Sequence, residues 1–521
     1  MPQAIRNIAR LVRIAWILAR HDALFPLRDA GIAPVVTTLA GLARRRRGDE
    51  RPGQRLATAL QALGPSFIKF GQTLATRPDL IGESVAQDLS NLQDRLPPFP
   101  AREARAIIQA ELGCPVSEVF PEFDDKPVAA ASIAQVHFAR TTDGRPVAVK
   151  VLRPGIEAAF ERDLTLFYWV ANVAERARPS LRRLKPVETI RTLADSVRIE
   201  MDLRLEAAAA SELAENLADI DGFRVPAIDW QHTSRRVLTL ERMEGTRIDD
   251  LAGLARAGHD PAMVLAHASN AFFRQVFFDG FFHADLHPGN LMVDADGNVI
   301  ALDFGIMGRL DKETRRYLAE MLLGFLTGNY ARVADIHFEA GYVPRRQSKA
   351  AFTQAVRAIG EPVLGRPLHE ISIARLLGHL FQVTKTFEME TQPQLLLLQK
   401  SMLMAEGLSR KLRPEENMWL MSQPLIEEWA AINLNPAARL GEMARETLAV
   451  ARRLPQVVER AEDILDGLED NLSGGPGAGN SRRGKPGKRG AFGGIAGFGG
   501  VQLLLGVIAG LLAALLVLQL V

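Results

Sequence analysis

An acid followed five residues later by an asparagine carries the most chemistry in this chain: His283-Ala-Asp285-Leu-His287-Pro-Gly-Asn290. Thirteen residues beyond Asn290, the apolar run Val299–Leu302 delivers Asp303-Phe304-Gly305. This order suits phosphoryl transfer. Asp285 would face the attacking nucleophile, while Asn290 and Asp303 would hold a metal that bridges the phosphates. Charge on phosphate oxygens must be neutralised in fixed geometry, and Mg²⁺ takes oxygen ligands of this kind. A DFG tripeptide alone is common by chance; loop, strand and tripeptide in this order are far more specific. The plain alternative is a polar turn, and Asp296-Gly297 is a hairpin turn in either case. His283 and His287 lack Cys or Glu partners at zinc spacing, so they are read as hydrogen-bonding supports of the loop.

Other elements must bring a cation and a cover to that loop. Pro146-Val-Ala-Val-Lys150 is a short strand, and its lysine would pair with the α- and β-phosphates of ATP. The acid that pairs with Lys150 should sit on a helix. Glu200-Met-Asp202-Leu-Arg-Leu-Glu206 offers Glu200 and Glu206, six apart and on different parts of one helical surface. The choice between them stays open. Where a glycine-rich phosphate loop is expected, the chain has Ala129-Ala130-Ala131-Ser132. Alanine resists the positive-φ turns glycine allows, so the cover is expected to be stiff. The strand ending at Glu241 and the turn with Met243 occupy the place of an adenine-binding hinge; core packing is the other reading of Met243.

Together these residues resemble the UbiB family of atypical kinase-like proteins. The resemblance is strengthened by Gly64-Pro-Ser-Phe-Ile-Lys69-Phe-Gly71-Gln72, a KxGQ signature, followed by Thr76-Arg77-Pro78-Asp79 and Leu92-Gln93-Asp94. The alanine loop, the Glu200-x-Asp202 pair and the stretch Gln394–Gly407 match as well. The resemblance covers about 55–435. It implies a kinase-like fold of the α+β class, bilobal, with an N-terminal helical extension and a C-terminal transmembrane helix. It further implies that Lys69, Gly71, Gln72 and Asp202 belong to an occluding motif that keeps protein substrates out. ATP and Mg²⁺ are the implied cofactors, ATPase or phosphotransferase chemistry the implied activity, and ubiquinone biosynthesis the implied setting. Prenylated ubiquinone precursors and the enzymes that modify them are the implied partners. A nucleotide-binding pseudokinase scaffold and a small-molecule or lipid kinase stand as alternatives. Read without the resemblance, Pro65 starts an ordinary helix and Lys69 is solvated. No flavin, haem or di-iron signature supports a hydroxylase.

Composition frames these motifs. The 521 residues are 47% hydrophobic and 24% charged, which describes a folded chain. A net charge of +2 argues against a surface that coats nucleic acid, and one cysteine excludes an internal disulfide framework. The balance is uneven: residues 1–47 carry +7 and 471–490 carry +5, leaving −10 on 48–470. Ile5, Ile8, Val12, Ala15 and Ala19 recur at helical spacing opposite Arg6, Arg10, Arg13 and Arg20. That basic amphipathic helix suits either a lipid interface, with Trp16 in reach, or docking on the body. Arg44 to Arg47 read as a solvated loop. Residues 491–521 bear no charge, and about 20 apolar residues span a bilayer, so one span is expected there but not a full hairpin. The basic linker before it is expected to place the body on the cytoplasmic side, and the cell inner membrane is what the resemblance implies. Gly506 and Gly510 form a GxxxG pair that would favour a homodimer. The expected organisation is a basic N-terminal helical region over 1–54 and a helical extension over 55–128. An N-lobe with a helical insertion follows over 129–245, then a helical C-lobe over 246–435. C-terminal helices over 436–470, a flexible linker over 471–490 and the membrane anchor over 491–521 complete it.

Overall fold

The computed structural model describes residues 3–24, 50–75, 81–90, 92, 96–177, 186–362, 383, 386–389, 393–416 and 418–433. The expected linker, the membrane anchor, Arg44 to Arg47 and Thr76 to Asp79 lie outside them. Among the described residues no helix is long and apolar enough to cross a membrane.

The N-terminal half is built on an antiparallel sheet in the order β1 (Glu122–Phe123), β3 (Ala134–Arg140), β4 (Pro146–Leu152), β6 (Val237–Glu241), with β2 (Ala129–Ala130) pairing β3. Alternation along β4 decides which face does chemistry. Val147, Val149 and Val151 point into a cluster with Ile107 and Ile108 of α5 (Ala101–Leu112). Ala148 and Leu152 face the opposite cluster, and Lys150 lies between them on that side.

That second face is covered by helices. They are α1 (Gln3–Arg20), α2 (Pro52–Leu63), α3 (Pro65–Ala75), α4 (Glu83–Ser90), α6 (Ile156–Ala177), α7 (Pro186–Glu200) and α8 (Leu203–Asn216). Phe167 of α6 holds α3 through an edge contact with Phe67 and a stacked contact with Phe70. Gly71 lets α3 approach closely: a Cβ there would stand 2.7 Å from Leu60 and 2.8 Å from Leu92. The docking reading of α1 has direct contacts. Ile17, Ala19 and Ala23 are buried, and Arg10 forms an ion pair with the largely buried Asp163 of α6. Trp16 packs on the same core with Arg20 over its ring, so α1 docks on the body.

The C-terminal half is mostly helical. Pro261, one residue after the capping Asp260, opens α9 (Pro261–Arg274), whose Phe272 and Phe273 are buried at the centre. Helices α10 (Lys312–Leu326), α11 (Tyr330–Glu339) and α12 (Lys349–Gly360) form a second core around Tyr330 and Phe352, while α13 (Pro393–Leu412) and α14 (Gln423–Asn433) pack on α9. Two small sheets face the first half. One runs β5 (Phe223–Arg224), β10 (Val299–Ala301), β9 (Leu291–Val293), β7 (Thr246–Arg247); the other pairs β8 (Phe281–His283) with β11 (Met307–Arg309). The hairpin between β9 and β10 closes through Asp294, whose carboxylate accepts from Asp296 N and Asn298 N, with Gly297 at φ +85.

Candidate active site

Helix α9 does not end in a simple cap. It continues into one π-helical turn, Gln275–Asp279, closed by Gly280 at φ +66, where a Cβ would meet the Leu310 carbonyl at 2.5 Å. π-turns inside helices often re-aim a side chain at a functional site. Here fully buried Gln275 accepts from His283 N at 3.0 Å. His283 Nδ1 in turn accepts from Asp285 N at 3.1 Å, and burial holds its imidazole below the ordinary histidine range. His287 Nδ1 accepts from Gly289 N at 2.9 Å. Both histidines therefore brace the loop, as the sequence suggests.

Pairing joins this loop to the DFG segment. His283 is opposite Met307 in the β8/β11 ladder, and Ala284 N donates to Ile306 O at 3.0 Å. Leu302 N donates to Asn290 O at 3.0 Å, while Asn290 Nδ2 donates to Asp285 O at 3.2 Å. With its nitrogen so engaged, the Asn290 amide presents its oxygen elsewhere. Asp285, Asn290 and Asp303 thus share one hydrogen-bonded unit at the ends of β8 and β10.

Lys150 reaches this unit from the first sheet. Its Nζ lies 2.6 Å from Glu206 Oε1 and 3.3 Å from Asp303 Oδ1. Burial works against the ammonium, but Asp303 and Glu206 outweigh it and hold Lys150 above the usual lysine range. Burial also opposes ionisation of Asp303, yet Lys150 and the Gly305 N–H, 3.1 Å away, keep it well below the usual carboxylate range. Burial lifts Glu206 to about 7 against the pull of Lys150, and Asp303 adds to the lift.

The acidic segment resolves into two partners. It is not one helix: α7 ends at Glu200, and Asp202 caps α8 by accepting from Arg204 N at 3.2 Å. Glu206, in the first turn of α8, takes Lys150; Glu200, at the end of α7, takes Lys69 at 2.5 Å. Lys69 is only 7% exposed, so the solvated helix position is corrected. The helix does begin at Pro65; what buries Lys69 is the packing of α3 on α6 and α7. Gln72 is half-buried on the same helix, and Asp202 is partly exposed with Arg204 at 2.7 Å.

Ala129 and Ala130 form β2, and Ser132 behind them is fully buried. Arg153 staples this cover. Its Nε and Nη2 donate to Ala131 O at 3.0 and 2.8 Å, and Nη2 also reaches Pro97 O at 2.9 Å. Glu241 ends β6 and pairs with Arg224 of β5 at 3.2 Å, which ties the first sheet to the second. Met243 is half-buried in the connection from β6 to β7. Sequence reading missed Gln275, Arg153 and Lys400. The last lies on α13, and its Nζ stands 2.7 Å from Asp285 Oδ1. It falls within the Gln394–Gly407 stretch matched to the family, but it follows a run of leucines that reads as packing, so its role is not marked.

The oxygen-only donor set of Asn290 and an anionic Asp303, beside a cationic Lys150, fits a magnesium nucleotide. Among the described residues there is no group of three or more His, Cys, Asp or Glu that could hold a metal ion. Comparison with known proteins bears on the same residues. The family model of the ABC1 atypical kinase-like domain matches residues 91–337, and that of the UbiB helical domain matches 356–417. A protein from Marinobacter nauticus named "Probable protein kinase UbiB" is 41% identical over 466 residues, 88% of this chain and 85% of its own. Proteins of the same name from Pseudomonas entomophila and Vibrio cholerae are each 40% identical, over 89% and 88% of this chain and 87% and 86% of theirs. This chain belongs to the UbiB family. Its fold is also similar to a solved Mycobacterium tuberculosis structure, the complex of Rv3197 with erythromycin. The TM-score is 0.50 with 26% identity, covering 71% of this chain and 95% of that one. The kinase-like mixed fold expected from the UbiB resemblance is thus shown.

Proposed function

We propose that this UbiB-family chain is a magnesium-dependent ATPase or phosphotransferase that supports ubiquinone biosynthesis at the inner membrane. The observation that carries the chemistry is Lys150 held between Glu206 and Asp303, with Asp303 tied through Leu302 and Asn290 to the loop of Asp285. Lys150 binds the α- and β-phosphates, Glu206 keeps its ammonium in place, and Asp285 orients the attacking water or hydroxyl. Asn290 and Asp303 would hold Mg²⁺, which when bound neutralises charge on the phosphate oxygens. The alanine loop covers the nucleotide, and the connection carrying Met243 lies where adenine would bind. Burial of Lys69 on Glu200 supports the reading that α3 closes one side of the cleft to protein substrates. Charge-free residues 491–521, preceded by a basic linker, support membrane attachment with a prenylated precursor or its modifying enzymes as the target.

Purified Asp303→Asn protein is expected to lose phosphate release from Mg-ATP; unchanged turnover would overturn the proposal. Radiolabel from γ-labelled ATP then reports the acceptor. Free phosphate indicates an ATPase, and label in an added prenylphenol indicates a small-molecule kinase.

A further inference from the structure

The cation on Asp285 comes from outside the loop, and from outside the stretch that matches the kinase-like family model. Lys400 is 115 residues away in sequence, within the part that matches the UbiB helical domain. Its position is set by packing. Leu398, Ser401, Leu408 and Leu412 of α13 are buried. Leu398, Leu408 and Leu412 share one core with Ala284 and Leu286, the two neighbours of Asp285. The Lys400 and Asp285 side chains are 32% and 24% exposed, so the pair stands at the rim of the cleft, open to a ligand. Asp285 is then held from two directions, its carbonyl by Asn290 and its carboxylate by Lys400.

We infer that Lys400 is a positioning residue of the catalytic centre: it fixes the Asp285 carboxylate for the nucleophile and offsets its charge against the incoming polyphosphate. The helical domain thereby completes an active site that the kinase-like segment leaves unfinished. A carboxylate facing the triphosphate without a countercharge would repel it, and a mobile one would misplace the nucleophile. This inference rests on the nucleotide chemistry proposed above, and its test separates the two.

The experiment compares wild type, Asp303→Asn, Lys400→Met and Lys400→Arg as full chains, measuring kcat and KM for Mg-ATP together with thermal melting. Lys400→Met is expected to lower kcat by about 10- to 100-fold, with a smaller rise in KM for Mg-ATP, about three- to tenfold, as the uncovered Asp285 charge repels the polyphosphate. Lys400→Arg keeps a charge that can reach one carboxylate oxygen and restores kcat to within about fivefold. Lys400→Gln, neutral but still polar, repeats the comparison should the methionine variant fold poorly. If Asp303→Asn is dead but Lys400→Met turns over at the wild-type rate, the role of Lys400 is overturned and the nucleotide reading stands. An arginine variant as slow as the methionine variant also overturns it. If Asp303→Asn itself turns over normally, both readings fall.

Discussion

Two lysine–glutamate pairs leave the same bend of the chain and end in different surroundings. Glu200 closes α7 and meets Lys69 of the N-terminal extension; Glu206 opens α8 and meets Lys150 of the sheet. Both pairs are removed from water, where an ion pair stabilises little relative to an apolar contact but is costly to break from one side. The second pair has Asp303 as an additional carboxylate, and this shifts its chemistry. One ammonium serves two acids, so Asp303 keeps its charge and Glu206 binds its proton far more tightly than a free glutamate. The Lys69 pair fastens a helix, whereas the Lys150 pair leaves an anion where the proposed chemistry would place a metal.

The largest expected effect separates the pairs by activity. Lys150→Met should lower Mg-ATP turnover by about 10³-fold, whereas Lys69→Met should leave phosphate release measurable. Should the α3 helix exclude protein substrates, Lys69→Met also gains label on the chain itself. Equal losses of turnover would erase the distinction. Stability should rank the other way. Glu200→Ala takes the facing carboxylate from a buried ammonium and should cost about 3–5 kcal/mol in denaturant unfolding. Glu206→Ala leaves Asp303 beside Lys150 and should cost less; the comparison breaks if the two losses match. Gly71→Ala drives a methyl into Leu60 and Leu92 and should cost about 1–3 kcal/mol, loosening the Lys69 side without touching Lys150. A further effect is in pH. Glu206 is protonated up to about 7 in the folded chain but only to 4.5 when free. Its contribution to stability is therefore full below 4.5 and lost as pH rises to 7. Glutamine does not titrate, so the stability of Glu206→Gln relative to wild type should rise by about 3 kcal/mol across that window, read as a rising relative melting temperature. A difference independent of pH would show that Glu206 ionises like a free carboxyl.

Much of this arrangement was legible in the sequence because strands and turns carry short-range signals. Strand β4 lies at Pro146–Leu152 as its alternation suggests, and the turn at Asp296-Gly297 sits where its dipeptide puts it. The partner of Lys150 was not legible. Glu200 and Glu206 differ in role because the chain breaks at Asp202, and an N-cap aspartate inside an acidic helical stretch looks like one more surface charge. Lys400 was hidden for another reason. Its meaning comes from where α13 packs against the loop, which local spacing does not encode. The docked state of α1 depended likewise on Asp163, more than a hundred residues distant in the chain.

The staple made by Arg153 has a consequence for timing. Its guanidinium ties the alanine cover to the carbonyls of Leu96 and Pro97, in the segment that leads from the N-terminal helices into α5. A glycine flap is free of such ties; this cover is joined to that segment through one guanidinium. Under the nucleotide chemistry proposed above, opening of the cover would require that segment to shift, and the exchange rate would then report on the N-terminal extension as well as on the cleft.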